Sequence, residues 1–151
     1  MATTSSAGVD RADRRITTFG LFHEAHRRLT RAFDHSLAAH SGISSAFFEV
    51  LLRIGRSPGS RLTMSELACQ LGLTSGGATR LVDRVVDAGL VARSSCPSDR
   101  RVQWVVLTPK GEQKLEDALV VHLEDLQHEM IDRLDADELS TLESALDKLR
   151  A

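Results

Sequence analysis

Arg80 and Arg84 stand four residues apart, so on a helix both guanidinium groups leave neighbouring positions of one face. A guanidinium is a planar fork of N–H donors that fits two phosphate oxygens or the O6 and N7 edge of guanine. Such a pair is suited to a nucleic-acid backbone, and Arg80 also to a base edge. The competing reading is a surface ion pair with Asp83 or Asp87. Arg100 and Arg101 put two more cations in a polar stretch where nothing nearby needs covering, which favours a groove contact there. Arg61 adds an isolated cation that either touches phosphate or lies in solvent.

Other chemistries find less footing. The chain shows no grouping of nucleophile, base and acid, and Gly76-Gly77 lacks the lysine and preceding strand of a phosphate-binding loop. It is read as a non-enzyme without a cofactor. Cys69 and Cys96 match neither a zinc finger nor a disulfide framework and are read as structural thiols. His23 with His26, and His122 with His128, lack the i, i+4 spacing of a helical metal site. They stay open between ordinary surface or interface histidines, a polar lining for a ligand pocket, and metal ligands drawn from different helices. Trp104 alternates with Gln103 and Val105 in a strand pattern and is expected to pack against the base of its hairpin.

The elements that must hold these groups follow from periodicity and caps. Residues 1–10 are small and polar and read as a flexible arm. From Arg11 to His40 apolar residues recur at helical spacing, giving a helix of more than about 35 Å that so small a domain cannot cover, so a partner chain is implied. Ser44 or Ser45 opens a second helix that runs to Ile54. Thr63-Met-Ser-Glu66 is a capping box starting a two-turn helix that Gly72 ends, and Thr74 caps a longer helix from Ser75 to Ala88. Two short helices about a tight turn are a helix-turn-helix, whose second member enters the major groove. Leu90–Ser94 and Val102–Leu107 form a hairpin with a long polar tip, and Leu62–Met64 supplies a third strand. Thr108-Pro109 opens a helix striped with leucines, and Asp135–Glu138 caps a last one.

The expected architecture is therefore mainly α with a small β-wing. It comprises a winged helix-turn-helix at 44–108 and a helical dimerisation region made of 11–43 and 109–151. The net charge of -2 averages over a strong asymmetry. Lys and Arg number 8 against 5 Asp and Glu in residues 1–60, 7 against 4 in 61–110, and 4 against 12 in 111–151, so one end can approach phosphates. No run of about 18 apolar residues is present and residues 1–15 lack a signal-peptide core, so no membrane partner and a cytoplasmic location are expected.

The block from Leu62 to Gly111, above all TRLVDRVVDAGLV and PSDRRVQWVVLTPKG, resembles the multiple antibiotic resistance regulator (MarR) family, and the likeness extends over roughly residues 11–150. The resemblance implies a homodimeric repressor of pseudo-palindromic operators in double-stranded DNA. It also implies release by a small aromatic effector near the domain junction, where Phe22, His23 and His26 are candidate lining residues. It places Ser75, Gly76, Thr79 and Arg80 toward DNA and matches Asp99 and Arg101 to a wing signature in which the carboxylate orients the arginine. Gly76-Gly77 stand where many relatives carry larger polar side chains, which shifts the expected specificity toward wing contacts and DNA shape. The alternative function is a winged-helix protein-interaction module without sequence-specific DNA binding.

Overall fold

The computed structural model describes residues 10–95 and 102–150. Its first helix, α1, spans Arg14–His40. It begins three residues later than the apolar pattern suggested. Asp10 draws the Ala12 amide into a turn, and Asp13 caps the helix by accepting from the Arg15 amide at 2.8 Å. The Arg15 guanidinium also pairs with Asp13 and holds that carboxyl below its ordinary range. Gly42, at φ +69°, turns the chain into α2, Ser45–Gly55, whose first turn is bound by the Ser44 hydroxyl.

Strand β1, Arg61–Thr63, leads directly into α3, Met64–Gln70. The capping box between them is complete: the Glu66 amide donates to Thr63 Oγ1 at 3.2 Å and the Thr63 amide to Glu66 Oε2 at 2.8 Å. The Thr63 amide and hydroxyl, both donating to it, hold the Glu66 carboxyl below its usual range. Gly72 adopts the left-handed conformation that ends α3, and Thr74 caps α4, Ser75–Asp87. Strands β2, Val91–Ser95, and β3, Gln103–Leu107, complete an antiparallel sheet in the order β1-β3-β2.

One core serves the whole module. Phe48, Leu51 and Ile54 of α2 meet Leu67 of α3, Val82 and Val85 of α4, and Leu62, Val91 and Val105 of the sheet. Helix α5, Pro109–Glu129, reaches this core with Leu115 and Ala118, and α1 reaches it with Leu37. The start of α5 is also pinned to the end of α4. Lys110 Nζ donates to the Ala88 carbonyl at 2.8 Å, and Thr108 Oγ1 to that of Gly89 at 2.7 Å. Gly111 packs so tightly there that an added Cβ would lie 1.8 Å from the Leu90 carbonyl oxygen.

The remaining helix, α6, spans Ala136–Arg150 and starts from the expected Asp135–Glu138 box. It buries no residue, and Leu149 is 78% exposed. On α1, Phe19 and Phe22 are likewise 68% and 51% exposed. Arg28 of α1 pairs with Glu129 of α5 at 2.6 Å and depresses that carboxyl's pKa. Among the described residues no single helix is long and apolar enough to cross a membrane.

Candidate nucleic-acid interface

Helix α4 divides cleanly by face. Ala78, Val82 and Val85 are buried against the module, while Ser75, Gly76, Thr79 and Arg80 are all exposed. The Thr74 hydroxyl accepts from the Gly77 amide at 3.2 Å, and the other amides of the first turn have no partner within the helix. An N-terminal turn of this kind suits an anion. Thr79 Oγ1 donates to the Ser75 carbonyl at 2.9 Å, which leaves its two lone pairs and its methyl group for an outside partner. The two glycines differ. A Cβ on Gly76 would meet nothing within 4 Å, whereas one on Gly77 would come 3.2 Å from Thr74 Oγ1. The fold therefore makes no steric demand for glycine at 76.

The arginines also separate. Asp83 pairs with Arg93 of β2 at 2.5 Å, so it is not Arg80's partner. The Arg84 guanidinium lies over the Phe47 ring, 5.4 Å from its centroid, a tertiary contact that helical spacing does not reveal. Arg61 is exposed on β1, its guanidinium 4.8 Å from the centre of the half-buried Trp104 ring. Cys96, Asp99, Arg100 and Arg101, expected at the wing tip, lie outside the described residues.

Phe22, His23 and His26 are exposed on α1, where the His23 ring stacks on Phe19 at 6.3 Å. His122 of α5 is packed instead between Phe33 of α1 and Phe48 of α2, with ring centroids 5.0 and 4.8 Å away. Burial pushes its pKa down, against the pull of Asp125 and Glu49. His128 faces Asp132 at the exposed end of α5, so the two histidines occupy unlike environments. Among the described residues no three His, Cys, Asp or Glu side chains gather as a metal site. Cys69 is exposed on α3, which corrects its reading as a structural thiol: it lies on the solvent side of a helix that turns Leu67 and Ala68 inward.

The MarR family profile matches residues 41–102, from the turn before α2 through the helix-turn-helix to the residue before β3. The multiple antibiotic resistance protein MarR of Escherichia coli is 33% identical over 129 residues, covering 85% of this chain and 88% of its own. The chain belongs to the MarR family. Solved MarR structures share the fold over nearly the whole chain. AbsC of Streptomyces coelicolor superposes with a TM-score of 0.84 at 28% identity, covering 91% of this chain and 93% of its own. Sco3205 of the same organism, in complex with DNA, gives 0.82 at 27% identity over 89% and 84%. An E. coli MarR variant complexed with operator DNA gives 0.80 at 32% over 93% and 98%. As a MarR member the chain is a DNA-binding transcriptional regulator and not an enzyme.

Proposed function

We propose that this regulator is a homodimeric, ligand-responsive repressor of a pseudo-palindromic operator. The observation that carries the DNA-reading part is the exposed face of α4, with Ser75, Gly76, Thr79 and Arg80 around a helix start whose Ser75 and Gly76 amides have no partner within the helix. In this reading those residues enter the major groove. Arg84, stacked on Phe47, turns N–H groups to the adjacent phosphates. Arg61 and the wing residues Asp99, Arg100 and Arg101 contact the flanking backbone and groove.

Residues 44–108 serve as the DNA-binding module, and 11–43 with 109–151 as the dimerisation region. The exposed apolar side chains of α1 and α6 support a second copy as their cover. Two-fold symmetry in the protein then requires half-sites about one helical turn of DNA, roughly 34 Å, apart or a multiple of it. Phe22, His23 and His26 line an effector pocket in the assembled dimer, taking a small aromatic acid. To move the dimer from 99:1 to 1:99 between DNA-competent and incompetent states, the effector needs about 5.5 kcal/mol of preference.

Selection of bound duplexes from a random pool at fixed salt tests the operator. Enriched sequences with two related half-sites are the expected result, and enrichment without symmetry overturns the dimeric arrangement. Aromatic acids titrated into the selected complex test the effector, and an affinity unchanged by any of them removes that part of the proposal.

A further inference from the structure

The strand register sorts the sheet into two faces. Leu62, Val105 and Arg93 stand opposite one another across β1, β3 and β2. Leu62 and Val105 are buried and Arg93 reaches Asp83 on α4, so this face looks toward the module. Adjacent positions along a strand point the other way, which puts Arg61 and Trp104 on the outward face. There the Arg61 guanidinium sits within cation–π range of the indole.

The arginine is bedded on more than the ring. Its Nε lies in van der Waals range of Gly59, 3.6 Å from where a Cβ would stand, and Ser57 Oγ donates to the Arg61 carbonyl at 2.9 Å. A side chain at 59 would thus only touch the arginine, and glycine is set there by its φ of +69°. Among the described residues the buried Trp104 indole N–H has no acceptor, and what tryptophan presents to Arg61 is the face of its ring. The result is an exposed cation whose direction is set by an aromatic surface.

A recognition helix lies in the major groove, and the wing lies beside it on the duplex. Because the inner face of the sheet is turned toward α4, its outward face is turned away from α4, and on a duplex read by α4 it would look along the DNA. We propose that Trp104 is a positioning residue that holds Arg61 on this outward face as a contact to backbone phosphates beyond the wing. The inference rests on the DNA-binding reading of the module but not on the operator or its symmetry, since a phosphate contact carries no sequence information.

The test uses the full-length protein and a mixed-sequence duplex of about four helical turns, with binding measured across a salt series. Each phosphate contact contributes about 0.9 to the slope of log affinity against log salt, so Arg61→Ala is expected to flatten it by about that amount per chain. Trp104→Leu should flatten it by a similar amount in the wild-type background and add little to Arg61→Ala. Trp104→Phe, which keeps a ring face, should recover most of the slope and also guards against a misfolded wing. An Arg61→Ala protein with the wild-type slope overturns the phosphate contact. A Trp104→Leu loss of equal size with and without Arg61 overturns the positioning role, because the tryptophan would then act through the wing itself. Selection that yields no operator, alongside a flattened slope for Arg61→Ala, separates failure of the operator reading from failure of this one.

Discussion

Within the module, Leu51, Ile54, Leu67, Val82 and Val105 are wholly buried, whereas α6 buries no residue and α1, 27 residues long, buries only Leu37. Both regions carry apolar stripes at helical spacing. The module closes its stripes on one another, drawing on residues of α1 to α5 and of the sheet, while α6 and most of α1 leave theirs outside that core. A stripe by itself therefore says that a surface must be covered but not by what. In this chain the same pattern serves an internal core in one place and a surface the chain does not itself cover in another.

The sharpest way to break this contrast is to remove core volume. Leu51→Ala is expected to lower unfolding free energy by about 2–5 kcal/mol, since rigid neighbours from several elements surround the side chain. Denaturant unfolding measures it, and a loss below about 1 kcal/mol would mean the module core is not the principal source of stability. Gly111→Ala strikes the seam between the regions. A methyl group 1.8 Å from the Leu90 carbonyl forces the start of α5 away from the turn after α4, at about 1–3 kcal/mol or more. Its unfolding midpoint should fall together with DNA affinity, and unaltered behaviour in both would show that the seam yields freely.

Leu149→Ser addresses the open stripe. Its effect on the unfolding of the isolated chain should be under about 0.5 kcal/mol, the size usual for a surface change. Sedimentation equilibrium should nevertheless show weaker self-association. An unchanged dimer would remove the end of α6 from the interface.

The smallest effect concerns His122. Burial between Phe33 and Phe48 lowers its pKa, so the folded chain binds fewer protons than the unfolded one at mildly acidic pH. The resulting stability is intact above the unfolded histidine value of about 6.5 and declines as pH falls through it toward the folded value. His122→Phe should remove that component of the decline in urea midpoints measured between about pH 7.5 and 5.5. A slope identical to wild type would place the acid sensitivity in other groups.

Local chemistry was the most legible part of the chain. Thr63, Thr74, Thr108 and the Asp135–Glu138 box all open helices as read, because a cap depends on residues within one turn. The third strand reads from sequence as Leu62–Met64 and stands at Arg61–Thr63, one residue earlier, because the Thr63 cap draws Met64 into α3. What escaped were contacts whose direction is set by packing between elements: Arg84 over Phe47, Asp83 with Arg93, and Arg61 over Trp104. Helical spacing brings Asp83 and Asp87 within reach of the arginines on α4, yet Asp83 turns instead to β2. Likewise His122 reads from sequence as one of a pair with His128, while in the fold it belongs with two phenyl rings from other helices. Gly111 was visible only as one letter of a motif, since the carbonyl that excludes a side chain there comes from another turn of the chain.

The pinned joint of Thr108, Lys110 and Gly111 makes α5 a crank with α4 at its short end. A helix of 21 residues is about 31 Å long, so a tilt of about 10° about one end swings the other by about 5 Å. That exceeds the roughly 3.4 Å between successive base pairs. With the crank rigidly keyed to the recognition helix, a slight rocking of one α5 against its counterpart in a dimer would change the distance between the two reading heads by more than one step of the DNA ladder.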